Sequence, residues 1–102
     1  MTSQSVIARP YAEAAFSVAK QDNSIKEWSS DLQKIKTVCA DQKITNLLLN
    51  PDLSYSDKTK IFLDLFEGEI SVKAFSFVKV CGDNKRLKNL PEIIKFFNEL
   101  AL

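Results

Sequence analysis

The apolar and polar positions of the first twenty residues follow a helical repeat in which the apolar arc is unusually wide. At about 100° per residue, the polar residues fall on one narrow side, and they are Arg9, Glu13, Ser17 and Lys20. A surface helix needs an apolar arc of only about 100°, whereas here the apolar arc covers roughly 200°. It contains Ile7, Ala8, Tyr11, Ala12, Ala14, Ala15, Phe16, Val18 and Ala19. The pattern predicts a helix that packs on two sides. Either both sides pack within its own bundle, or one side packs in the core and the other against a partner.

This first helix is predicted to run from about Ser3 or Ser5 to Lys20. Pro10 lies inside that span, has no N–H group and crowds the carbonyl of Val6. We therefore expect either a kink at Pro10 or a regular helix that starts near Arg9.

Three further helices are predicted before residue 70, each with a recognisable start or stop signal. Ser24–Glu27 matches a capping box and opens the second. Asp41 can cap a short third helix that ends before Pro51, and Ser54 or Ser56 opens a fourth. Their predicted interior positions are Ile25, Trp28, Leu32, Ile35 and Val38, then Ile44, Leu47 and Leu48, then Ile61, Phe62, Leu65 and Phe66.

A fifth helix is predicted to begin at Ser71 and is again apolar over most of its circumference. Val80 departs from this pattern, because it projects between Lys73 and Ser76 on the polar side of the helix. Single exposed apolar side chains are common. The pattern alone leaves open whether Val80 is such a residue or part of a binding surface.

A last helix is introduced by Asn89-Leu90-Pro91 and carries a stripe of Ile93, Phe97 and Leu100. Only two glycines and three prolines interrupt the 102 residues, which predicts five or six helices and no sheet. We expect an all-α, compact helical bundle that forms a single domain over residues 1–102.

The composition argues against catalysis by this chain alone. It contains no histidine, the commonest general base and metal ligand, so we expect neither an active site nor a metal or other cofactor. Cys39 and Cys81 lie far apart without a C-x-x-C spacing and are interpreted as reduced core thiols. An enzyme that uses either cysteine is the weakest of the functional hypotheses.

The charges and the apolar runs limit the kinds of partner. Lys and Arg number 14 against 13 Asp and Glu, so the chain carries no overall charge that favours nucleic acid. A small helical RNA-binding or regulatory domain that uses Lys85, Arg86 and Lys88 is the alternative hypothesis. No apolar run approaches the about 20 residues that cross a bilayer, so membrane contact is expected only through another subunit.

The segment from Ala8 to Phe16, ARPYAEAAF, resembles the opening of the delta subunit of bacterial rotary ATP synthases, the counterpart of the mitochondrial oligomycin-sensitivity-conferring protein. Trp28 and Leu32 lie at the positions where the family has the same pair of residues. Residues 84–93 resemble the family's N-x-R-L-x-x-L-P-x-I signature. The resemblance covers essentially the whole chain, but the stretch from about Ile44 to Val72 is generic.

The resemblance implies a six-helix N-terminal domain at the top of the catalytic head, with no active site of its own. In the family, a groove between the first and fifth helices holds the N-terminal helix of an α subunit, and a C-terminal domain, absent from this chain, joins the b stalk. The implied role is that of a stator in proton-driven ATP synthesis, peripheral at the cytoplasmic face of the bacterial inner membrane.

The family's groove can be carried onto individual positions of this sequence. Alanines on the first helix would keep the groove open, Tyr11 would offer a large amphipathic contact, and Lys79 could pair with an acidic residue of the partner. Ala8, Ala12, Phe16 and Ala19 are expected to pack inward. The implied groove residues are Ile7, Tyr11, Ala14, Ala15 and Val18 from the first helix and Ser76, Lys79 and Val80 from the fifth.

Overall fold

In the computed structural model, which describes residues 4–102, the chain forms six α-helices and no strand. Their bounds are α1 Gln4–Gln21, α2 Ile25–Cys39, α3 Gln42–Leu49, α4 Tyr55–Asp64, α5 Val72–Asp83 and α6 Leu90–Leu100. A 3₁₀ turn, Leu87–Asn89, leads into α6. The predicted all-α bundle is therefore confirmed, while the suggested start of α1 at Ser3 lies outside the described residues.

Helix α1 includes Pro10 within its span. The expectation that regular helix begins near Arg9 is therefore wrong, because helical residues lie on both sides of the proline. Because α1 is continuous, the whole alanine-rich segment lies on one helix.

Local capping explains where three of the helices begin. Asp41 accepts a hydrogen bond from the backbone N–H two residues ahead at 2.8 Å. Ser54 and Ser71 each accept one from the N–H three residues ahead, at 3.0 and 3.2 Å. These bonds satisfy N–H groups that have no partner within the first turn of a helix, so α3, α4 and α5 start at the residues that the sequence predicts.

The start of α2 differs from its prediction in one respect. Ser24 is the N-cap residue, but its side chain makes no capping hydrogen bond. Its hydroxyl instead donates to the carbonyl of Ala19, 3.4 Å away, so the predicted capping box with Glu27 does not form.

The core forms where α1 and α2 pack against α6. Ala8, Ala12 and Ala19 are buried, and Phe16 packs against the buried residues from its half-buried position. This confirms the predicted inward face of α1. The small alanine side chains allow the helix to lie close to its neighbours.

The predicted core face of α4 and the turn after it is confirmed in part. Phe62 and Phe66 are buried as predicted, whereas Ile61 and Leu65 are 40% and 45% exposed and Leu63 is buried. Gly82 of α5 lies so close to Thr59 that a Cβ added to the glycine would clash with the threonine side chain. This contact places Thr59, and Leu63 one turn further along, on the side of α4 that faces α5.

A groove between helices α1 and α5

A row of aromatic rings joins four helices beneath the groove. The Phe16 ring of α1 meets Phe97 of α6 edge to face at 5.7 Å between ring centroids. Trp28 of α2 stacks on Phe97 at 6.3 Å and meets the edge of Phe77 of α5 at 5.8 Å. Such pairs contribute about 0.5–1.5 kcal/mol each beyond their buried area. The row fixes the positions of α1 and α5 relative to one another.

A depression of about 280 Å³ lies beside this row. Its volume lies just below the about 300–1,000 Å³ of small-molecule pockets, so it suits a few apolar side chains better than a metabolite. Val18 and Val80 are 39% and 48% exposed, and each therefore offers apolar surface that a partner can cover. The lining residues are Ala14, Ala15 and Val18 of α1, Trp28 of α2, and Lys73, Ser76, Phe77 and Val80 of α5.

An ion pair stands at one end of the groove. The ammonium of Lys73 contacts the carboxylate of Asp22, which joins the first turn of α5 to the residue after α1. Because 61% of the Lys73 side chain is exposed, the pair contributes little to stability. Because the carboxylate of Asp22 balances the ammonium of Lys73, the pair adds no net charge at this end of the groove.

Five of the residues predicted from the sequence line this groove: Ala14, Ala15, Val18, Ser76 and Val80. Ile7 and Tyr11 are half-buried and precede Ala14 on α1 by two turns and one turn, and Tyr11 packs against the core. Neither lines the groove in the structure, and their contact with a partner stays a prediction.

Lys79 also lies outside the groove. It lines a separate depression on the other flank of α5, and its ammonium is 3.8 Å from the carboxylate of Asp83 one turn later. The expected placement of Lys79 beside Ser76 and Val80 is therefore not what the structure shows. The charge that borders the groove belongs to Lys73 instead.

Sequence reasoning missed three lining residues, Trp28, Lys73 and Phe77. Lys73 and Phe77 stand seven and three residues before Val80, which is helical spacing for one face. Their spacing from Val80 could therefore have identified both residues from the sequence. Trp28 was assigned to the core, and it does lie there with 3% exposure, but its edge also reaches the floor of the groove.

The two cysteines of the chain are both free thiols. Burial raises the pKa of the Cys39 thiol to about 11 and that of the Cys81 thiol to about 12, so both are protonated and poorly nucleophilic at neutral pH. Residues 4–102 contain no cluster of three or more side chains suited to hold a metal ion. None of the helices in this part of the chain has the length and apolar content that a bilayer crossing requires.

Comparison with known proteins decides the family. The family model described as ATP synthase delta (OSCP) subunit matches residues 7–102, which include both walls of the groove. The chain belongs to the ATP synthase delta (OSCP) subunit family. The resemblance seen at the two ends of the sequence is thereby confirmed.

Curated relatives in this family carry the name ATP synthase subunit delta. The protein from Hydrogenovibrio crunogenus is 36% identical over 94 residues, which is 92% of this chain and 53% of the relative. That from Marinobacter nauticus is 37% identical over 97 residues, 95% of this chain and 54% of the relative. That from Neisseria meningitidis serogroup C is 35% identical over 102 residues, 100% of this chain and 57% of the relative. The chain thus spans about half the length of the curated relatives it matches.

Proposed function

We propose that this chain acts as a non-catalytic stator component and that the groove between α1 and α5 binds the N-terminal amphipathic helix of an ATP synthase α subunit. The observation that carries the proposal is the apolar groove itself. Exposed Val80 and Val18 face each other across small residues, above a floor of packed rings. The apolar face of a helix is a suitable occupant of such a surface.

The arrangement suits tight and selective binding for two physical reasons. Alanines line the α1 wall, so another helix can approach closely without displacing side chains. The aromatic row makes the floor a preformed surface, so little ordering is needed when the partner binds.

The proposed role is mechanical. During proton-driven ATP synthesis the rotor's torque tends to turn the catalytic head, and this subunit would help to tie the head to a stationary peripheral stalk. The b stalk would be bound through a second, C-terminal domain, since the 102 residues span only about half the length of the curated relatives. The protein would then lie at the cytoplasmic face of the bacterial inner membrane, and contact the membrane only through the complex.

Trp28 provides a direct test, because it is the single tryptophan of the chain and lines the groove. The domain is titrated with a synthetic peptide of the N-terminal helix of the cognate α subunit while the Trp28 emission is followed. We expect a saturable change with a Kd below about 10 µM. Absence of saturable binding by both fluorescence and calorimetry would overturn the proposal.

A matched peptide controls for non-specific association. In this peptide the apolar-face residues are replaced by serine, and the charges are kept. It should not bind, because only the apolar face enters the groove. Equal binding of both peptides would mean that charge, not the groove, drives the association.

A further inference from the structure

A second depression lies on the other flank of α5, separate from the groove. Its volume is about 400 Å³, and its walls come from α4, from α5 and from the turn that follows α5. Three lysines line it, Lys60, Lys79 and Lys85. The carboxylate that also lines it, Asp83, lies 3.8 Å from the ammonium of Lys79. The depression therefore has an excess of positive charge.

Two ammonium groups lie close to one aromatic ring at the edge of the depression. Nζ of Lys58 lies 5.1 Å and Nζ of Lys85 lies 5.2 Å from the centroid of the Tyr55 ring, which itself lines the depression. The ring attracts each cation. A negative group beside either ammonium would add a direct charge attraction.

Lys58 lies beside the depression but does not line it. The residue is only 7% exposed, and its ammonium lies against the Tyr55 ring. The only buried side-chain polar atom without a hydrogen-bond partner in residues 4–102 belongs to Asn89, so the charged end of Lys58 reaches solvent. Lys58 therefore adds accessible positive charge next to the depression.

We infer that this depression binds an acidic segment of a protein partner, with a carboxylate placed close to Lys85 beside the Tyr55 ring. A peptide fits better than a small inorganic ion, because the depression is large and Leu63 and the Tyr55 ring give it apolar wall. The inference does not depend on the groove, since the two surfaces lie on different flanks of α5 and share no lining residue.

The probe for this site is a hexaglutamate peptide with blocked ends. It is titrated into the ¹⁵N-labelled domain while the backbone amides of Gly82 and Lys85 are followed by NMR. We expect saturable shifts at these amides that weaken as salt is added. Hexaglutamine and inorganic phosphate serve as comparison probes, and both should bind much more weakly.

Two substitutions with the same charge change separate a defined site from diffuse attraction. Lys85→Asn removes one of the two cations at Tyr55, and asparagine tolerates the positive φ of 62° at this position. Lys43→Asn removes an exposed lysine of α3 that does not line the depression. Lys85→Asn should weaken hexaglutamate binding about fivefold, and Lys43→Asn should leave it unchanged.

Three results would overturn the inference. Equal weakening by both substitutions would mean that only the overall charge attracts the peptide. Equal affinity for hexaglutamine would remove the carboxylate from the argument, and equal affinity for phosphate would mean a site for free anions. None of these results bears on the groove, which is tested separately by the α-subunit peptide.

Discussion

Val80 offers the sharpest single test of the groove, because a matched control lies on the same helix. Val80→Ala removes two methyl groups from a residue that is 48% exposed and lines the groove. Val72→Ala makes the same change at a residue that is 82% exposed and does not line it. Both changes slightly raise helix propensity, so neither should unfold the domain.

The expected loss of affinity follows from the exposed part of Val80. Burying one methyl or methylene group stabilises a complex by about 0.8 kcal/mol. Since about half of the Val80 side chain is already covered in the free domain, the two lost groups together should cost about 0.8 kcal/mol of binding. That corresponds to a Kd about fourfold higher for the α-subunit peptide. Val72→Ala should leave the Kd within error of the unmodified domain.

The assay is the Trp28 titration, repeated by calorimetry for each variant. Urea unfolding of both variants checks that the fold is kept. If Val80→Ala leaves the affinity unchanged, Val80 does not contact the peptide. If both variants lose the same affinity, the effect comes from the helix as a whole, and the groove argument is refuted.

Three further predictions concern the opposite groove wall, the contact between α4 and α5, and a buried thiol. Ala14→Asp should weaken peptide binding at least about tenfold, because it places a charge on an apolar surface. It should keep a near-normal urea midpoint, since Ala14 is exposed, and an unfolded variant would instead place Ala14 in the core. Gly82→Ala should destabilise the domain in urea by about 1–2 kcal/mol, because the clash with Thr59 outweighs the about 1 kcal/mol gain in helix propensity. Thr59→Ala should relieve that loss, and a stabilised Gly82→Ala would contradict the packing. Burial raises the pKa of the Cys81 thiol to about 12, so between about pH 8.5 and pH 12 the thiol ionises only in the unfolded chain. The free energy of unfolding should therefore fall by up to about 1.4 kcal/mol for each pH unit in this range. The difference in unfolding free energy between the unmodified domain and Cys81→Ala should shrink accordingly from about pH 8 to about pH 10, and a constant difference would contradict this.

The helix starts could be predicted from the sequence because capping is local. Asp41, Ser54 and Ser71 each bond an N–H within three residues, so no distant contact is needed to place them. Ser24 shows the limit of this reasoning. Its neighbours fit a capping box, but the preceding chain offers the carbonyl of Ala19, and the hydroxyl bonds there instead.

The faces of the helices were less predictable than their bounds, because tertiary contacts choose among apolar positions. Thr59 of α4 lies against Gly82 of α5 and Leu63, one turn later, is buried, whereas Leu65, just after the end of α4, is exposed. A sequence pattern that scores only hydrophobicity ranks both leucines alike. The buried Lys58 was equally unexpected, since lysine is rarely buried.

The same limit explains the placement of Lys79. The sequence gives the positions around α5 but not which flank of the helix faces α1. In the structure the flank with Ser76 and Val80 borders α1, and the flank with Lys79 borders α4. The excess apolar arc of α1 and the isolated Val80 were visible in the sequence, and the structure brings them to the same groove.

A partner helix in the groove between α1 and α5 would lie within a few ångströms of methyl groups on both walls. Intermolecular NOEs between the methyl groups of the isotope-labelled domain and the unlabelled α-subunit peptide test this directly. We expect NOEs from the peptide to the methyls of Ala14, Val18 and Val80 and none to Val72. NOEs confined to residues outside the groove, in a complex that forms with normal affinity, would contradict it.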